Sequence, residues 1–450
     1  MVLSYLELLL LSVLAVSTHG SSSFYGESLF GSKTPYFWER DANQTIGVDS
    51  GMTITHNGKT CTAFYMDALL RHGARYPKTP YIVDMNTIVT KLRSLPTTAT
   101  QHPFVNTWVD RFPMNLNAQL TSLGKQESYT LGKRFLSRFH SLLQPASARL
   151  QYYASDKKRT QDSANYFQQG VTGRQMTDDF SNDTQPTIDN TMLRFYTNCH
   201  EYSATVLTND SAIEEFFKFQ QGPEYTAMKK AVSDRITAGH INLTISEILV
   251  IHQYCTLELG LFKTSDWCSF FTKEDLEVID YGTDVYNYWL KSYGHVINSE
   301  ITCPMFVDVF GNMDKAIQAD REGQSYTVGT FRFGHAETLL PIYSALSLFH
   351  DSTPLLASNY NAHRNRTYRT SKIAPFSGNI YPVLYKCGDE LGDIYLKMFV
   401  NEVETPLPAC GLKLCPYYLL KSVYSDAINN CRFDVLCHNI HSTMPSAVVG

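Results

Sequence analysis

From residue 61 the chain reads Cys-Thr-Ala-Phe-Tyr-Met-Asp-Ala-Leu-Leu, an apolar run of strand length interrupted by a single charge, Asp67. Such a run predicts a strand buried on both faces. The pattern then changes period, and helical spacing dominates from residue 85 to 143. Residues 126–139 place Leu131, Phe135 and Phe139 on one stripe. A second strand is predicted over 149–155, followed by a helix that opens near residue 158 and stops at Gly170. Residues 175–320 are mostly of helical period, as in 211–220, 245–254 and 275–292, with polar breaks near Asn182 and Gly222. A strand over 326–334, a helix to 348, and strands over 380–385 and 394–400 complete the pattern. Helices alternating with strands predict an α/β unit whose strands pair in parallel. The expected division is an α/β core of residues 21–170 and 323–450, interrupted by an inserted, mainly helical domain over 171–322.

The N-terminus is of a different kind. Residues 6–16 are apolar and are followed by small and polar residues, Ser17-Thr18-His19-Gly20. That has the length of a signal-peptide core and is too short to span a bilayer, so residues 1–20 are expected to be a signal peptide. A buried first helix is the alternative, because the first residues lack Lys and Arg. Ten cysteines form an even set that could be fully paired, and five Asn-x-Ser/Thr sites, at Asn43, Asn182, Asn209, Asn242 and Asn365, could carry N-glycans. The spacings of Cys410 with Cys415 and of Cys431 with Cys437 do not suit zinc, and short-range disulfides are expected there. The C-terminus carries neither a retention tetrapeptide nor a hydrophobic tail. Export is therefore expected, to the outside, the endoplasmic reticulum lumen or the cell surface, with no transmembrane segment. Net charge is −5 with a pI near 6.3, which provides no global basic field for nucleic acid. An anionic substrate must be met by local clusters of Arg and Lys.

Directly after the first strand comes Arg71-His72-Gly73-Ala74-Arg75-Tyr76-Pro77. A histidine between two arginines at a strand end suits phosphoryl chemistry, since imidazole can attack phosphorus while guanidiniums neutralise the equatorial oxygens. Two further segments occupy the same kind of position. Arg159 follows the second strand, and His335-Ala336-Glu337 follows the strand at 326–334. In open α/β sheets the C-terminal edge of the strands is where ligands bind, so the three segments are expected to converge. In that pocket His72 is the candidate nucleophile, forming a phosphohistidine. Arg71, Arg75 and Arg159 form the phosphate cradle, with His335 as a further donor. Glu337 is the candidate acid for the leaving alkoxide. Taken singly, each has a simpler reading: Arg159 as a surface ion pair, His335 as a core histidine, Glu337 as a helix-start carboxylate. No metal or cofactor is needed by this scheme.

Residues 71–77 resemble the signature of the histidine phosphatase superfamily, on its acid phosphatase and phytase branch. Leu69-Leu70 running into Arg71–Pro77, with Gly334-His335-Ala336-Glu337-Thr338, resembles the multiple inositol polyphosphate phosphatases, where many acid phosphatases of the branch have His-Asp. The likeness continues through residues 120–135, 155–170 and 369–376. It implies a mixed, largely parallel sheet flanked by helices, of the phosphoglycerate mutase type, with an α-domain forming the other wall of the cleft. It also implies a phosphorylated His72, phosphate bound by Arg71, Arg75, Arg159 and His335, and protonation of the leaving group by Glu337. The substrates implied are inositol hexakisphosphate, lower inositol polyphosphates and, in some members, 2,3-bisphosphoglycerate; a broad-specificity acid phosphatase is the alternative. A substrate with many phosphates needs charge beyond the cradle, and Lys78, Lys157 and Lys158 are the nearest candidates. Arg364, Arg366, Arg369 and Lys372 form another basic run, whose simpler reading is a solvated loop around Asn365.

Overall fold

The structure, a computed structural model, describes residues 29–38, 41, 43–96, 102–144, 149–388 and 390–438. The signal-like stretch lies outside the described residues. Nine strands among them form one mixed sheet: β1 (Thr53–His56), β2 (Lys59–Arg71), β3 (Leu150–Ala154), β4 (Thr187–Ile188), β5 (Gly329–Gly334), β6 (Asn379–Lys386), β7 (Ile394–Val400), β8 (Val403–Glu404) and β9 (Leu414–Pro416). Their order is β4-β3-β5-β2-β6-β7-β8, with β1 added to β2 and β9 to β7.

The sheet has two halves. From β4 to β2 all pairings are parallel. From β2 through β6, β7 and β8 they are antiparallel, as are those of β1 and β9. Parallel pairing holds where helices alternate with strands, as the mixed sheet expected from the resemblance allows, and β6 with β7 pairs antiparallel for a plain reason. The chain between Lys386 and Ile394 is too short for a parallel crossover, which takes about a dozen residues or more.

Strand β2 runs through the middle and buries both faces. Beyond an irregularity between Ala63 and Tyr65, its residues alternate. Met66, Ala68 and Leu70 enter one apolar cluster, while Leu69 enters the other. The first cluster lies under helices α2 (Ser122–Arg138) and α3 (Lys158–Val171) and includes Leu131, Phe135, Phe139, Phe167 and Phe331. Phe331 is fully buried among Phe135, Tyr152 and Phe167, so truncating it to Ala should cost about 3–5 kcal/mol. The second cluster joins the opposite sheet face to helices α1 (Thr79–Arg93), α4 (Pro223–Thr237), α5 (Ile245–Phe262), α6 (Lys273–Lys291), α7 (Cys303–Arg321) and α8 (Ala336–Ala345). Apolar side chains of these helices thus share one interior with Leu69, Ile380 and Met398 of the sheet.

All ten cysteines are paired, as Cys61–Cys387, Cys199–Cys437, Cys255–Cys268, Cys303–Cys431 and Cys410–Cys415. The short bridge expected between Cys410 and Cys415 is present. The one expected between Cys431 and Cys437 is not: each of these residues reaches back to the helical region instead. The reason is tertiary, because the C-terminal segment lies against that region. Cys199 and Cys437 share a small apolar cluster with Phe195, Tyr202 and Ile301. Among the described residues no helix is long and apolar enough to cross a membrane.

Candidate active site

Three adjacent parallel strands end level with one another. Arg71 at the end of β2 pairs with Gly334 at the end of β5, and Ala154 at the end of β3 pairs with Phe333. His72, Ser155 and His335 are the residues that follow. Register alone therefore brings together segments that are far apart in sequence, and the edge they share is the one where α/β sheets bind ligands.

The backbone of the signature loop is held from several sides. His72 N–H donates to the Gly334 carbonyl at 3.1 Å, and Gly73 N–H donates to Ser163 Oγ at 3.1 Å. A Cβ on Gly73 would sit 2.3 Å from the Gly124 carbonyl oxygen, so the loop can lie this close to α2 only without a side chain there. His72 Nδ1 lies 2.8 Å from the Gly73 carbonyl, which can only accept. The proton is thereby assigned to Nδ1, and the lone pair to Nε2. Burial, followed by Arg159, Arg71, His335 and Arg75, pushes the His72 imidazole well below its ordinary pKa. It stays neutral, hence nucleophilic, in acid where a free histidine would be protonated.

His335 stands beside it, the two rings edge to face with centroids 5.4 Å apart. Its Nε2 is 2.9 Å from Ser155 Oγ and its Nδ1 is 3.4 Å from Arg159 Nη2. Because a guanidinium only donates, the consistent tautomer carries its proton on Nε2. Burial and Arg159 pull this group down to about 3.

The arginines converge here without carboxylates. Arg71 is buried, stacks on Phe376 at 4.6 Å, and points Nη1 at the Ser32 and Ala374 carbonyls. Arg75 donates to the Tyr76 carbonyl at 2.8 Å. Among the described residues no carboxylate forms an ion pair with Arg71, Arg75 or Arg159, and the buried Nε atoms of Arg71 and Arg159 have no hydrogen-bond partner. Burial lowers Arg71 to about 9, against the pull of Glu337 and helped by Arg75 and Arg159, and burial with Arg159 lowers Arg75 to about 10. Both remain cationic at neutral pH. A buried cationic cluster with donors to spare is a site built for an oxyanion.

Glu337 lies in the first turn of α8, with its side chain 41% exposed, and accepts from Lys291 Nζ at 3.1 Å. Burial works against its charge, but Lys291 and the backbone outweigh that and hold the carboxyl well below the usual carboxylate range. A helix-start position and the role expected of an acid are compatible at this residue.

Of the lysines expected from sequence, Lys78 lies in the field of the cluster, its pKa lowered by burial and then by Arg75, Arg159 and Lys291. Lys157 is paired with Asp156 at 3.0 Å, and Lys158 with Asp162 on its own helix. Two lysines without a sequence signal share the site. Lys291 reaches in from the end of α6, and Lys33 comes from the N-terminal segment, its pKa pushed well down by burial, Arg75 and Arg71. The basic run at 364–372 is not a solvated loop. Arg366 is buried in ion pairs with Asp280 and Asp284 of α6, Arg369 reaches Asp280 at 3.2 Å, and exposed Arg364 faces Glu277 at 3.7 Å.

Residues 65–401, well over half of the chain, match the histidine phosphatase superfamily (branch 2). The chain belongs to this family. As a branch 2 histidine phosphatase it is 28% identical over 435 residues to the multiple inositol polyphosphate phosphatase 1 of Gallus gallus, covering 94% of each protein. Solved structures show the same fold at lower identity. The multiple inositol polyphosphate phosphatase of Bifidobacterium longum, in complex with inositol hexasulfate, superposes with a TM-score of 0.68 at 17% identity, covering 90% of this chain and 98% of that one. The phytase from D. castellii gives 0.71 at 19% identity, covering 92% and 87%. The protein is thus a histidine acid phosphatase, a phosphomonoesterase related to the multiple inositol polyphosphate phosphatases and phytases, built on their mixed α/β fold.

Proposed function

We propose that this phosphatase removes phosphates from inositol polyphosphates through a phosphohistidine. The observation that carries the reading is the set of lysines gathered beside the cradle. Lys33, Lys78 and Lys291 come from three separate segments; the first two stand in the field of both Arg75 and Lys291, and Lys291 pairs with Glu337 at 3.1 Å. One phosphoryl group does not need that much charge; a ring bearing several phosphates does. The names of the relatives point to the same substrate class.

In the first half-reaction His72 Nε2 forms a bond to phosphorus as the ester P–O bond breaks. The guanidiniums of Arg71, Arg75 and Arg159 take up the charge on the phosphoryl oxygens. The leaving alkoxide takes its proton from the Glu337 carboxyl. In the second half-reaction water attacks phosphorus, its proton passes to Glu337, and the P–N bond breaks to give inorganic phosphate and free His72. Glu337 is ionised in the resting site, beside Lys291; an arriving phosphate dianion engages Lys291 and raises the carboxyl toward the protonated form the first step needs. Lower pH favours that form too, which gives an acidic to near-neutral optimum.

Export fits the rest of the chain. Five disulfides are formed, and Asn43, Asn182, Asn209, Asn242 and Asn365 are all exposed, as N-glycan acceptors in a secreted protein must be. The deciding experiment compares kcat/KM on inositol hexakisphosphate and on p-nitrophenyl phosphate. A clear preference for the inositol ester is expected; a strong bias toward the aryl ester would leave a broad-specificity acid phosphatase.

A further inference from the structure

Glu127 sits in the second turn of α2, fully buried, beyond reach of substrate, and it is the carboxylate nearest to the back of the signature loop. Its two oxygens are divided between two distant segments. Oε2 accepts the Ala74 N–H at 2.8 Å, between His72 and Arg75, and Oε1 accepts the Tyr36 N–H at 2.8 Å. The same helix start also takes the Ala74 carbonyl, bonded by Thr121 N–H and Thr121 Oγ, each at 2.9 Å. Both polar groups of the Ala74 backbone are thus tied to α2. Residues 29–38, which hold Tyr36, run on past the cradle. The Ser32 carbonyl accepts from Arg71 Nη1, Lys33 next to it stands in the field of Arg75 and Arg71, and the Thr34 carbonyl accepts from Phe376 N–H at 3.0 Å.

A fully buried carboxyl that accepts only backbone N–H groups is expensive to keep, and burial raises Glu127 to about 7 against those two bonds, Arg71 and Lys263. An apolar residue of similar size would fill the same space. What the carboxyl adds is a rigid bridge between two pieces of backbone that carry phosphate-binding groups.

We propose that Glu127 is a positioning residue that joins the N-terminal segment to the signature loop, so that the Ser32 carbonyl orients Arg71 and Lys33 stands at the cradle. The inference rests on the phosphomonoesterase assignment and not on the inositol substrate, so it is tested with p-nitrophenyl phosphate. Glu127→Met removes both acceptors at similar volume and should raise KM about tenfold with a much smaller change in kcat; Glu127→Gln, which keeps one acceptor, should recover part of the loss. If Glu127 acts through the segment, Lys33→Ala will raise KM several-fold in the parent and less than twofold in the Glu127→Met background. Multiplying effects would overturn the proposal, as would a loss confined to kcat. Should Glu127→Met fail to fold, hydrogen exchange on the unmutated protein decides: the Tyr36 and Ala74 amides are expected to be protected together. Exchange of the Tyr36 amide at the rate of an unfolded chain would sink the idea. A wild-type protein inactive on the aryl ester would instead count against the phosphatase assignment.

Discussion

Two clusters of buried arginines lie in this molecule, and they are built on opposite principles. Around Arg366 every charge is answered. Asp280 and Asp284 stand at 2.7 and 2.5 Å from its Nη2, Thr370 donates to Asp284, and the two aspartates, outweighing burial, push the guanidinium above its ordinary pKa. Around Arg71 no carboxylate of the described residues closes an ion pair, the partners are carbonyls and a phenyl ring, and burial pulls the guanidinium down to about 9 despite Glu337. The first arrangement spends its ion pairs on fastening the loop at 359–373 to α6. The second leaves donors unmatched within the protein, a condition that folding alone would not favour and that a bound phosphate would relieve. Burial of a charge is therefore not informative until its counter-ion has been accounted for.

The sharpest way to test that contrast is to remove the group the unmatched cluster surrounds. His72→Ala should lower turnover by about 10⁴-fold or more and abolish the acid-labile phosphoenzyme expected on rapid quenching, with the melting temperature little changed. Retention of either turnover or phosphoenzyme would reassign the nucleophile. Next comes a paired substitution. Arg366→Met leaves buried Asp284 without a counter-ion and Asp280 with Arg369 alone, and should cost about 3–5 kcal/mol in denaturant unfolding. Arg71→Met should lower kcat/KM by about 10²–10³-fold while costing less than about 1 kcal/mol of stability. Equal stability losses would erase the distinction between the clusters. A smaller effect is expected at the acid: Glu337→Gln should slow release of alkyl alcohols about 10²-fold and of nitrophenolate much less, since nitrophenolate leaves without a proton. If both leaving groups slow equally, Glu337 is a structural helix-start residue. The smallest effect concerns pH. Lys291 keeps Glu337 ionised, so Lys291→Met should raise the Glu337 pKa. Because the acid works protonated, the basic limb of the kcat/KM profile for an alkyl phosphate should move to higher pH. A shift to lower pH would contradict the pairing.

The parts of this site that could be read from sequence are those carried by strands. Arg71-His72, Arg159 and His335–Glu337 sit at strand ends and helix starts, where hydrophobic period fixes position and parallel register does the assembling. Lys33 and Lys291 have no such marker. One lies in a short polar segment, the other at a helix C-terminus where a lysine ordinarily answers the dipole, and what gives them meaning is a partner far along the chain. Glu127 was hidden for the same reason, as one carboxylate among the polar positions of an amphipathic helix. The basic run at 364–372 misled in the other direction, because aspartates of α6 that neutralise it stand some 80 residues earlier. The antiparallel half of the sheet depended on one short connection, and the pairing of Cys431 and Cys437 on where the C-terminal segment docks.

The bond between Cys61 and Cys387 has a consequence beyond holding two strands. It joins the first third of the core to the last, across a separation of 326 residues, and so closes the greater part of the polypeptide into a ring, to which the bonds Cys199–Cys437 and Cys303–Cys431 tie the C-terminal segment. A ring cut once is still a single object. A protease that nicks any exposed loop between those residues should yield two fragments that migrate apart only after reduction, with the signature loop and the Glu337 turn still facing each other until then. After a cut between Cys61 and Cys199, which no other bridge spans, the lifetime of the site would be governed by how long that one disulfide stays intact; after a cut further along, before Cys387, the bond between Cys199 and Cys437 also holds the pieces together.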